Sequence, residues 1–169
     1  MTTKTNARIA GVTFLVYIAA GIASLALAGR ARATDVLPLF TSMSALVLGV
    51  TLYALTREQD PDLALLALVC RVIEAVPGQA APIFFAVGST IFSWLLLRGR
   101  MIPVALAWLG VLASALLVVI LPLQRAGSFS GGANWSSAVT WLVWLPMLVF
   151  ELTFAAWLIV KGVAAPNRS

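Results

Sequence analysis

The chain has 11 Lys and Arg and 6 Asp and Glu residues, and only Arg71, Glu74 and Glu151 fall well inside its apolar runs. A charge at the centre of a membrane-spanning helix costs about 2.5–3.5 kcal/mol on insertion scales, so such residues face the bundle interior and find partners there. Arg71 and Glu74 are three apart, which puts them on one face of a helix where they can pair. At about 1.5 Å per residue, Arg71 lies about 13 Å along its helix from Asp62, and Glu151 about 15 Å from Lys161. Glu74 is about one turn deeper. The three groups therefore share one slab near the membrane midplane, and we expect a buried cluster in which Arg71 serves both Glu74 and Glu151.

Two kinds of chemistry fit such a cluster. An ion-pair clamp fixes which helices meet and does nothing else. A substrate, ion or proton site uses the same groups for binding, and the excess of two acids over one base leaves a carboxylate able to carry a proton. The second reading makes the protein a small transporter-like or sensory module. The first makes it a non-catalytic structural or accessory subunit of a membrane complex.

Other chemistries find little support. The sequence holds no G-x-S-x-G, H-E-x-x-H, P-loop or dinucleotide fingerprint, so no catalytic residue and no cofactor is assigned. A carboxylate-only intramembrane hydrolase built on Glu74 and Glu151 lacks a matching nucleophile or metal set. There is no histidine and a single cysteine, Cys70, within an apolar run. That excludes a disulfide within the chain and the usual zinc sites, and Cys70 reads as a small hydrophobe. Ala20, Ser24 and Ala28 repeat at spacing four, as close-packed helix faces do. Thr41, Ser42 and Ser44 read as hydroxyls bonded to their own backbone, with a ligand role as the alternative. Tyr17 and Tyr53 are expected toward the bundle or the interface.

The elements that must position these groups are set by composition. The chain is 62% hydrophobic and 10% charged with a mean hydropathy of +1.02, whereas a soluble domain carries about 25% charged residues. Most of the surface must face lipid. We therefore expect an all-α membrane protein, a bundle of about six transmembrane helices with short loops, in a single transmembrane domain spanning residues 1–169. The net charge of +5 is spread singly or in pairs at the ends of apolar runs, as topology determinants are. No basic cluster suits nucleic acid; the expected partners are the lipid bilayer and a membrane protein or a second copy of the chain.

Helices are expected at about 9–28, 36–55, 63–77, 82–97, 102–123 and 138–160. The first run is longer than the apolar core of a secretory signal, which spans about 7–15 residues, so we read it as a retained helix. Asp60, Pro61 and Asp62 suit the first turn of the third helix, where acids complement the helix dipole and proline is tolerated. Leu63–Leu97 is short for two crossings and is broken by Pro77–Pro82, which suggests a hairpin whose tip stops below the membrane surface. Either a crevice opens there toward Glu74 with Gln79 near its mouth, or the polar loop Gln124–Ser137 folds over the tip. Trp135, Trp141 and Trp144 mark an aromatic belt at the start of the sixth helix, and Pro146 predicts a kink in it.

Orientation follows from the basic residues. With the N-terminus inside, Lys4, Arg8, Arg57, Arg98, Arg100, Lys161 and Arg168 are cytoplasmic, against Arg30, Arg32 and Arg125 outside. The bias puts both termini in the cytoplasm.

Four stretches resemble the bacterial membrane family catalogued as domain of unknown function 4386. They are Ala7–Val12, the Leu63–Ala75 run with Arg71-Val72-Ile73-Glu74-Ala75, the segment Met101–Gly110, and Glu151 through Trp157 to Gly162. The resemblance implies a multi-helix protein of the bacterial cytoplasmic membrane and leaves the activity open. It points at the same Arg71, Glu74 and Glu151. The connection Pro77–Pro82 is shorter than the family generally has between its third and fourth helices.

Overall fold

In hydrocarbon every backbone amide and carbonyl must be satisfied within its own segment, so apolar runs of this length fold as helices. The chain forms α1 (Thr3–Ala26), α2 (Ala31–Thr56), α3 (Pro61–Glu74), α4 (Ala81–Arg98), α5 (Val104–Arg125) and α6 (Ala138–Val160). The structure is a computed structural model that describes residues 2–27, 31–76, 78, 80–127 and 138–164, with residues 31–35 described in backbone only. Ala28, Arg30, Pro77, Gln79, the stretch 128–137 with Trp135, and Arg168 lie outside the described residues, as does the side chain of Arg32.

Each helix packs against the next, α6 returns to α1, and α2 also touches α4, so the six helices close into a ring. Among the described residues, five of the six are long and apolar enough to cross a membrane. The exception is α3, whose 14 residues reach about 21 Å against the ~30 Å of a hydrocarbon core. The expected run at 63–77 is thus two residues out at its start and ends early, at Glu74. The first helix begins at Thr3, ahead of residue 9, with the Thr2 side chain accepting from the Thr5 amide at 3.2 Å. The Asp60-Pro61-Asp62 grouping does sit at the start of α3: Asp60 caps it by accepting from the Leu63 amide at 3.0 Å, and Pro61 opens it. Pro146 sits inside a continuous α6.

Bulk is distributed as a bilayer requires. Val12, Leu15, Val16, Val69, Val72, Val76, Leu112, Val119, Leu142 and Val149 are exposed on the outside of the ring. Small residues line many of the helix contacts, where they let backbones approach closely. A methyl group added at Gly11 would stand 2.8 Å from the Ala155 carbonyl oxygen, and one at Gly110 would stand 2.6 Å from the Phe150 ring. Between the helices Phe14, Leu48, Leu52, Phe92, Leu96, Leu117, Phe150, Phe154 and Leu158 form the core. At the end of the ring where the N-terminus begins, Arg98 pairs with Asp60 at 3.6 Å, and the Ala164 amide donates to the Met101 carbonyl at 2.9 Å. The chain is an all-α, multi-pass integral membrane protein, and the outward side chains meet lipid.

Candidate functional site

Arg71 is the largest fully buried side chain among the described residues, at 1% exposure. Two glycines make room for it: a methyl at Gly49 would stand 2.9 Å from its Cβ, and one at Gly88 would stand 3.1 Å from the Cβ of Cys70 and 3.3 Å from the Ala67 carbonyl oxygen. Helices α2 and α4 therefore close on α3 from both sides, and the guanidinium is left to find partners among polar side chains.

It finds three kinds. Arg71 Nη1 donates to Glu74 Oε2 at 2.9 Å, an ion pair one turn along α3. Arg71 Nη2 donates to Ser89 Oγ on α4 at 3.0 Å. The Cζ atom lies 4.9 Å from the centroid of the Phe85 ring, within the range of a cation–π contact. The Nε atom is buried without a hydrogen-bond partner. Glu74 is closed on its other side by Tyr17, whose hydroxyl donates to Oε1 at 2.8 Å. Tyr17 and Phe85 stack with centroids 6.2 Å apart, and Phe85 stacks on Trp144 at 5.7 Å. A three-ring pile from α1, α4 and α6 thus lies against the ion pair and ties three helices to it.

Glu151 departs from the expected arrangement. It forms no ion pair with Arg71 among the described residues, although it stands within electrostatic reach of it. The second position beside the guanidinium is taken by Ser89, because α4 packs directly on α3 while the described backbone of α6 stays apart from that of α3. Glu151 is buried on α6, with Oε1 unpartnered. It faces a cleft of about 340 Å³ whose walls are Tyr17, Ile18, Gly21, Ile22, Ser24 and Leu25 of α1, Thr41 of α2, and Trp141, Trp144, Leu145, Met147 and Leu148 of α6.

A second cavity of about 150 Å³ lies on the other side of Tyr17. It is lined by Thr41, Ser42, Ala45, Glu74, Phe85 and Trp144, with Ala81 and Pro82 at the start of α4. It reaches Glu74 beside the tip of the α3–α4 hairpin, the quarter in which the sequence suggested a crevice; Gln79 and residues 128–137, which bear on whether that tip is covered, lie outside the described residues. Tyr17, Thr41 and Trp144 line both cavities. One side of this wall thus meets Glu74 and the other meets Glu151.

Several of these residues were not singled out by their sequence. Tyr17 was expected only somewhere in the bundle or interface, and its bond to Glu74 depends on how α1 is rotated. Ser89 and Phe85 carry no local signal beyond a hydroxyl and a ring in an apolar run. Gly49 and Gly88 stand out only as glycines within helices, which cost stability unless close packing uses them. Thr41 donates to the Leu37 carbonyl at 3.1 Å and Ser24 to the Ala20 carbonyl at 2.8 Å, as hydroxyls in such helices do, and both still line the cleft. Among the described residues no group of His, Cys, Asp and Glu is arranged to hold a metal ion.

The family model described as Domain of unknown function (DUF4386) matches residues 77–162, half of the chain. The match takes in α4, α5 and α6 with Phe85, Ser89, Trp144 and Glu151, and leaves Tyr17, Arg71 and Glu74 outside it. No curated protein and no solved structure matches the chain.

Proposed function

This chain belongs to the family Domain of unknown function (DUF4386), and on that premise we propose that it is a small-ligand binding module of the bacterial cytoplasmic membrane, transporter-like or sensory, with both termini in the cytoplasm. The observation that carries the reading is the pair of cavities on either side of Tyr17, each ending on a buried carboxylate. A clamp that only held helices together would have no need of space beside both acids. The Arg71–Glu74 pair, Ser89 and Tyr17 form the fixed part of the site, since every described polar atom of Glu74 is bonded. Glu151, which lines the larger cavity and has an oxygen without a hydrogen-bond partner, forms the part left to an occupant.

Labelling tests this. In a Cys70→Ala background, Thr41→Cys puts a thiol on the wall shared by both cavities. A small, charged, membrane-impermeant methanethiosulfonate should modify it from the side opposite the N-terminus. If the thiol stays as unreactive as buried Cys70 in the parent chain, the cavities are dry and the proposal fails. The competing reading, a structural or accessory subunit, then takes over, supported by the dry ion pair in which Arg71 is 1% exposed.

A further inference from the structure

Among the described residues that line the cleft between α1 and α6, Glu151 carries a buried oxygen with no hydrogen-bond partner, and this carboxyl group restricts the occupant. The Tyr17 hydroxyl is used on Glu74, and the Thr41 and Ser24 hydroxyls are used on their own helix backbones. What remains is the carboxyl group of Glu151, a residue 5% exposed that lines the cleft and whose Oε1 is buried without a hydrogen-bond partner. A carboxylate buried in this way is costly unless something pairs with it. Arg71 does not, because it is bonded to Glu74 and Ser89. Arg71 and Glu74 offset each other, so an ionised Glu151 would leave the cluster with a net charge of −1, which one monovalent cation would balance. The rest of the wall is apolar: Ile18, Ile22, Leu25, Leu145, Met147 and Leu148. Trp141 and Trp144 add ring faces of the kind that attract organic cations. A volume of about 340 Å³ is at the low end for ligand pockets, which suits a small molecule and excludes a whole phospholipid.

We infer that the α1–α6 cleft binds a small apolar organic ammonium ion, its charged head on Glu151 and its apolar body against α1 and α6. The inference rests on the proposed binding function and names its ligand class. It also gives Gly21 a role, since this glycine lines the cleft and a methyl built on it meets nothing within 4 Å. A larger side chain there enters the space meant for the ligand without disturbing a helix contact.

Equilibrium dialysis of the purified full chain against labelled benzyltrimethylammonium provides the test. The ion should bind at one site and be displaced neither by its neutral isostere neopentylbenzene nor by phenylmethanesulfonate. Loss of the charge pair should weaken binding by about ten- to hundredfold in Glu151→Gln. Gly21→Leu, which keeps the carboxylate and fills the cleft, should abolish binding while leaving the thermal transition in place, so a folding defect in Glu151→Gln does not blunt the result. Binding of the neutral isostere with equal strength to the parent and to Glu151→Gln would overturn the ammonium assignment and leave a small-ligand site standing. No binding of the cation, with Thr41→Cys still labelled from water, would likewise overturn the assignment while sparing the site.

Discussion

Arg71 Nη1 and Glu74 Oε2 are 2.9 Å apart on one face of α3, a helix of 14 residues that ends at that glutamate. The pair is buried, and its remaining bonds come from Ser89 on α4 and Tyr17 on α1, so two helices are fixed relative to one another by two side chains of a third. Glu151, which lies deep in an apolar run just as they do, stands outside this network and faces a cleft. The two acids therefore differ in their surroundings: both carboxylate oxygens of Glu74 are bonded, and Glu151 Oε1 has no hydrogen-bond partner.

That difference has a direct consequence for Arg71→Leu. Removing one partner of a buried ion pair costs roughly 3–5 kcal/mol, because the other charge is left uncompensated. Folded yield by size-exclusion chromatography should fall sharply. Adding Glu74→Gln should restore much of it, since Glu74 is the bonded partner, and adding Glu151→Gln should restore less. Equal rescue by the two would show that Arg71 serves both acids alike.

Tyr17→Phe removes one hydroxyl and keeps the ring stacked on Phe85. A hydrogen bond to a charged group contributes about 1.5–3 kcal/mol, so the thermal transition should fall measurably. Trp fluorescence should change little, because the contact between Phe85 and Trp144 is untouched. An unchanged transition would mean that Glu74 is satisfied without Tyr17.

Glycines of the same helical type should respond in opposite ways. Gly49→Leu drives atoms into the Cβ of Arg71 and the side chain of Leu68, and overpacking of this kind typically costs about 1–3 kcal/mol. Gly21→Leu meets open space and should leave thermal stability unchanged or raised. Comparing the two melting curves checks the close approach of α2 and α3 independently of any ligand.

Because α6 separates Gly127 from Ala164, reporters fused after Gly127 and at the C-terminus should report opposite sides of the membrane. The bias of basic residues makes the C-terminal reporter the cytoplasmic one. Same-side signals would contradict the proposed topology.

Much of the fold was legible in the sequence because hydrocarbon imposes a local rule. An apolar run must satisfy its own backbone, so helix positions follow from hydropathy, and the cap at Asp60 follows from Asp-Pro-Asp. The cost of charge in the same medium singled out Arg71, Glu74 and Glu151. Spacing of three foretold the first pair, since both residues ride one helix. Nothing comparable governs partners on different helices. Whether Arg71 meets Ser89 or Glu151 depends on which helices are neighbours and how each is rotated about its axis. A rotation of one residue is about 100° in a helix of 3.6 residues per turn, enough to turn a group from the core to the lipid. Close approaches at Gly49 and Gly88, together with the closing of the ring by α1 and α6, set those rotations. They decided that Tyr17 reaches Glu74 and that Glu151 is left facing a cleft, because long-range packing has no signature in the local order of residues.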